Sequence, residues 1–118
     1  MEKKAVINLE TLLEICGGEN SFIIEMIDLF LKQADTFIME IEEACTNNNP
    51  ELAMKKAHKF KSSAQIFGIS SLSEMLIRIE ADGLFGIPFL EKNAIFNEMR
   101  EISDLACEQI IEARKKYC

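Results

Sequence analysis

The sequence predicts an all-α fold, an antiparallel up-and-down four-helix bundle with a short additional N-terminal helix. Three observations point to it. Apolar residues recur at helical spacing almost from end to end of the 118 residues. No stretch alternates strictly between apolar and polar residues as a half-buried strand does. Glycine, proline and asparagine gather at a few places between the periodic segments, where they start and stop helices. The length suits one domain around one core, spanning residues 1–118.

The first helix is short: Asn8 can cap LETLLEIC, and Gly17-Gly18 ends it as a left-handed C-terminal glycine does. The second is predicted from Ser21, as a cap, to Thr46, with Asn47, Asn48 and Asn49 at its end. Its apolar residues Ile23, Ile27, Phe30, Ala34, Phe37, Ile41 and Ala44 step by three and four, which makes a bundle seam. A second row, Ile24, Leu31, Ile38 and Cys45, widens the stripe, so this helix should contact more than one neighbour.

Asn49 followed by Pro50 starts the third helix, because proline at the first helical position gives up no hydrogen bond. It is predicted to run to Phe67, with Gly68 ending it. Ser71 and Glu74 have capping-box spacing for a fourth helix that carries Leu72, Met75, Leu76 and Ile79 and stops near Asp82-Gly83. Residues 83–88, GLFGIP, are a loop that Leu84, Phe85 and Ile87 should pin to the bundle. Pro88 opens the last helix, in which Ile95, Met99, Ile102, Ala106, Ile110, Ala113 and Tyr117 keep the period. Short connections between long helices make them antiparallel neighbours.

Composition narrows the function. Charged residues are 28% and hydrophobic residues 48%, as in soluble globular proteins. A net charge of −7 argues against a nucleic-acid surface, which needs broad positive charge. No apolar run reaches the roughly 18 residues that span a bilayer. MEKKAVINLE lacks the apolar centre of a signal peptide, so a cytoplasmic monomer away from membranes is expected. Cys16, Cys45, Cys107 and Cys118 are dispersed, and one histidine cannot complete a metal set with them, so no metal or other intrinsic cofactor is expected. A glycine-rich nucleotide motif is also missing, which excludes ATP-dependent kinase activity of its own.

The single histidine, His58, lies in KKAHKFK (55–61), four lysines around one imidazole in an acidic chain. The third helix buries a stripe of Ala53, Ala57, Phe60, Ala64 and Phe67. At 100° per residue His58 projects roughly 140° from the centre of that stripe, toward solvent. Lys55 and Lys61 stand three residues to either side on the same face, placed to attract an anionic group on the ring. Lys56 and Lys59 lie further round and read as solvated. Ser62, one turn beyond, keeps the surroundings low, and Met54 and Gln65 form a rim within reach.

The segment AHKFKSSAQIFGISSLSEMLIRIE (57–80) resembles the signature of histidine-containing phosphotransfer (HPt) domains. In that pattern a lysine follows the histidine by three residues and a glycine by ten, and an amphipathic helix ends in an acidic or amide residue. Here these are His58, Lys61, Gly68 and Glu80. LLEICGGENSFIIEMIDLFLKQA (12–34) is similar to the family's first helix, its turn and the start of its second, so the resemblance covers residues 8–82. Ser62 stands where the family usually has glycine, and Glu80 where some members have glutamine.

The resemblance implies a phosphocarrier of two-component phosphorelays. His58 Nε2 would take a phosphoryl group from a phosphoaspartate on a response-regulator receiver domain and pass it to another receiver. Lys61 would steady the phosphate and Glu80 would orient the ring. Partners would be receiver domains and a hybrid sensor histidine kinase, with Mg²⁺ supplied by the receiver. Docking is expected on the face around His58, including Leu9, Leu12 and Leu13 of the first helix. The alternative is a helical adaptor that binds a sensor kinase or response regulator without being phosphorylated.

Overall fold

In a computed structural model of the chain, residues 4–118 are described. They form α1 (Glu10–Cys16), α2 (Asn20–Thr46), α3 (Pro50–Ile66), α4 (Ser70–Asp82) and α5 (Phe89–Arg114), with no strand among the described residues. Helices α2, α3, α4 and α5 pack in a ring, each against the next and α5 back onto α2, and α1 lies on α2.

Cross-links at matching heights show the antiparallel order. Between α2 and α3, the rings of Phe37 and Phe60 stack at 5.0 Å and those of Phe30 and Phe67 approach to 4.6 Å. Between α2 and α5, Arg114 grips Asp28 through both carboxylate oxygens at 2.8 and 3.0 Å, and Arg100 pairs with Glu42. Lys92 donates to the Cys45 carbonyl at 3.2 Å, at the C-terminus of α2, where Asn48 N–H also donates to it at 3.3 Å.

The expected seam of α2 is realised: Ile23, Ile27, Phe30, Ala34, Ile41 and Ala44 are buried, while Phe37 is partly covered. Each large apolar side chain fully withdrawn from water contributes about 1.5–3 kcal/mol. On α3 the buried positions Ala53, Ala57 and Ala64 are small, so its backbone can lie close to both neighbours and hold its outer face steady.

The start of α3 agrees with expectation, whereas those of α2 and α4 depart from it. Asn49 caps α3, accepting from the Leu52 N–H at 3.3 Å. Ser21 is not the cap of α2, which begins at Asn20 without a side-chain cap. Nor does the Ser71–Glu74 capping box form; α4 begins at Ser70, also uncapped by a side chain. There the backbone closes the α3–α4 corner itself: Gly68 N–H donates to Gln65 at 3.1 Å and Ile69 N–H to Ala64 at 2.9 Å.

Two glycines set the ends of the α3–α4 pair. Gly68 is left-handed (φ +65°), and a Cβ there would stand 2.2 Å from the Asn8 carbonyl oxygen, so only glycine admits the N-terminal segment against the corner. Asn8 N–H completes that contact on the Phe67 carbonyl at 3.1 Å. At the opposite end Gly83 lies against Pro50, where a Cβ would meet the proline carbonyl oxygen at 2.5 Å. Beyond it Leu84 is buried, with φ +59°, and Ile87 is partly covered, but Phe85 is turned outward and does not pin the loop as expected.

Candidate functional site

His58 emerges from α3 at the groove with α4, and its side chain is 68% exposed. Its Nδ1 meets Glu80 Oε1, from the next helix. The second oxygen of that carboxylate, Oε2, accepts from Lys61 Nζ at 2.6 Å. One carboxylate therefore bridges a histidine and a lysine three residues apart on the neighbouring helix, and it can do so because i and i+3 share a helix face.

The electrostatics follow from those contacts. Hydrogen bonding from Lys61 first, and from His58 second, holds the Glu80 carboxyl below its ordinary range. An ionised carboxylate has no proton to donate, so the shared hydrogen is the one on Nδ1. A neutral imidazole with its proton on Nδ1 keeps a lone pair on Nε2. The two nitrogens sit on different edges of the ring, so with Nδ1 on Glu80 the Nε2 edge faces away from α4.

The remaining expected site residues are spread around this cluster. Lys55 is exposed and is in no ion pair among the described residues. Ser62 and Gln65 are exposed and Met54 is half-buried. Gly68 is remote from the ring; it serves the α3–α4 corner. Among the first-helix leucines, Leu9 and Leu13 are half-buried and pack against the core. Leu12 is fully buried beside Cys16 in the core cluster, so it cannot form part of a docking surface, which corrects the expectation for it. A seven-residue helix lying on a bundle must direct one of its leucines inward, and that leucine is Leu12.

Lys56 is also not simply solvated. It pairs with Glu40 of α2, tying α3 to α2 on the side opposite the His58–Glu80 contact. Glu40 in turn borders an open hollow of about 310 Å³ on α2, lined with Lys32, Gln33, Thr36 and Phe37. Nothing in the sequence pattern singles out this hollow, because the Glu40–Lys56 pair spans sixteen residues. Among the described residues no group of three or more His, Cys, Asp or Glu stands close enough to hold a metal ion, and no helix is long and apolar enough to cross a membrane.

The family profile of the Hpt domain matches residues 25–112. That span includes α5 as far as Glu112, a helix that the resemblance read from the sequence, ending at residue 82, left out. No curated protein and no solved structure matches the chain.

Proposed function

The chain belongs to the Hpt domain family, and from that premise we propose that it is a phosphocarrier of a His–Asp relay in which His58 is the phosphorylated residue. The observation that carries the reading is the exposed ring whose Nδ1 is engaged by Glu80 while Nε2 is left open. In the forward step the Nε2 lone pair attacks the phosphorus of a receiver's aspartyl phosphate. A P–N bond forms, the P–O bond to the aspartyl oxygen breaks, and that carboxylate leaves with the bonding pair. The ring keeps its proton on Nδ1 and becomes cationic, and Glu80 offsets that charge. Transfer to the next receiver reverses the sequence.

Little machinery is needed on this chain, because phosphoryl transfer depends mainly on alignment and charge compensation. The receiver supplies Mg²⁺ and the aspartate. Lys61 spends one of its three N–H donors on Glu80 and keeps two for phosphoryl oxygens. Lys55 adds exposed positive charge on the same face. Since Nε2 faces away from α4, the receiver approaches over the outer surface of α3, past Lys55 and Ser62. Serine in place of the usual glycine still leaves that approach low, and its hydroxyl is a donor for a phosphoryl oxygen.

The partners proposed are receiver domains and a hybrid sensor kinase, with the chain itself making no use of ATP. Incubation with a phosphorylated receiver tests the reading: label moves to the wild-type chain and not to His58→Gln. Equal labelling of both proteins overturns it. Tight receiver binding by wild type with no label transferred would identify the adaptor instead.

A further inference from the structure

The segment GLFGIPFL (83–90) carries no charge in a chain whose charged residues are 28% of the total. Three of its large side chains stand in water: Phe85 is 76% exposed, Phe89 64% and Leu90 79%. They fall within six residues at one pole of the bundle, where the α4–α5 connection meets the start of α3 through the Gly83–Pro50 contact. Each substituent here has a reason to be absent on a lone bundle. Phe89 lies seven residues before the buried Phe96, so it continues the core-facing stripe of α5 past the place where neighbouring helices stop covering it. Leu90, the next residue, is offset from it by about 100° around the same first turn. Phe85 is turned outward by a connection that spends a left-handed conformation on Leu84, a conformation that costs a leucine about 1–2 kcal/mol.

Two of the charges that bracket the segment are tied to backbone groups, Lys92 half-buried and Asp82 exposed. Asp82 accepts from the Leu84 N–H at 3.0 Å, and Lys92 reaches the Cys45 carbonyl at 3.2 Å. Glu91 is left on the rim. With the chain at −7 two copies repel each other, and within residues 83–90 themselves no side chain adds to that repulsion. Within the segment itself a charged partner finds no side chain of opposite sign, whereas an uncharged aromatic surface is complementary to itself, as a two-fold interface requires.

We propose that Phe85, Phe89 and Leu90 form the contact of a weak two-fold homodimer. Three such side chains, at these exposures, offer about 400 Å² of apolar surface per copy. Doubled across the two-fold axis, and with a polar rim, that reaches roughly the lower limit of about 1,200 Å² for specific interfaces. The area suits an association that the expected monomer enters only as its concentration rises. Phosphotransfer does not depend on it, because the open Nε2 edge of His58 lies on α3, facing away from α4.

Sedimentation equilibrium of the full chain from micromolar to near-millimolar concentration, at low and high ionic strength, tests the proposal. Wild type should pass from monomer to dimer, and more salt should strengthen the dimer by screening the net charge. Leu90→Ser and Phe85→Ser should each weaken it by about tenfold or more, as loss of a central apolar anchor does. Because both residues are exposed, each variant should keep the wild-type circular dichroism spectrum and melting temperature, so a change in mass cannot be blamed on unfolding. A wild type that stays monomeric throughout, or folded variants that dimerise as well as wild type, would overturn the proposal. So would a dimer that salt dissociates.

Discussion

Replacing Gly68 with alanine should destabilise the protein well beyond what the same change does at Gly18, and the difference can be worked out from the structure. Both glycines have positive φ, +65° and +79°, so both substitutions carry a conformational penalty of about 1–2 kcal/mol. At Gly18 that is the whole cost, since an added Cβ meets nothing within 4 Å. At Gly68 the Cβ would lie 2.2, 2.6 and 2.7 Å from the oxygen, Cβ and N of Asn8, two of them backbone atoms that cannot rotate aside. The N-terminal segment must therefore lift, breaking the 3.1 Å bond from Asn8 N–H to the Phe67 carbonyl. That loss costs about 0.5–1.5 kcal/mol. Partial exposure of Val6 and Ile7, which pack on the core, adds about 1 kcal/mol. The total for Gly68→Ala is about 2.5–4.5 kcal/mol, or a fall in melting temperature of about 10–18 °C for a domain of this size. Urea and thermal unfolding of the two variants side by side provide the assay. A Gly68→Ala protein no less stable than Gly18→Ala would refute the reasoning that steric exclusion, and not φ alone, requires the glycine.

The site makes two further predictions. Lys61→Ala leaves Glu80 with one hydrogen-bond donor and removes two that could reach the phosphoryl group, so the initial rate of transfer from a phosphorylated receiver should fall about tenfold or more; an unchanged rate would remove Lys61 from the mechanism. Folding lowers the pKa of Glu80 from its ordinary value of 4.5, chiefly through Lys61 and then His58. As pH falls below that ordinary value the unfolded chain takes up the proton first, so the stability that the His58–Glu80–Lys61 cluster contributes is complete at higher pH and disappears as pH drops through the folded value. Carboxyl chemical shifts should titrate for Glu80 below the ordinary glutamate midpoint, and a midpoint at or above it would contradict the bridged arrangement.

Much of the site was legible because its spacing is local. His58 and Lys61 share a face by helical geometry, and Asn49-Pro50 marks the start of α3 with a side-chain cap that forms as expected. Glu80 could be matched to His58 only through the family resemblance, because a contact twenty-two residues away depends on how α3 and α4 meet. The errors share that cause. Periodicity identifies an apolar face without saying what covers it, so Leu12 and Phe85 were each placed on the wrong side of the surface. The Ser71–Glu74 spacing was real, but backbone hydrogen bonds around Gly68 fix the corner one residue earlier and leave the capping box without a role. Lys56 reads as solvated on its own helix and becomes a tie only when Glu40 arrives from α2.

The central claim is that Glu80 holds Nδ1 of His58 and leaves Nε2 to carry the phosphoryl group. Phosphorus NMR of the chain after reaction with a phosphorylated receiver reads the bonded nitrogen directly. The account predicts one phosphohistidine signal, of the Nε2 isomer, labile in acid, stable in alkali and missing from His58→Gln. A phosphoryl group on Nδ1, or on a residue other than His58, would contradict it.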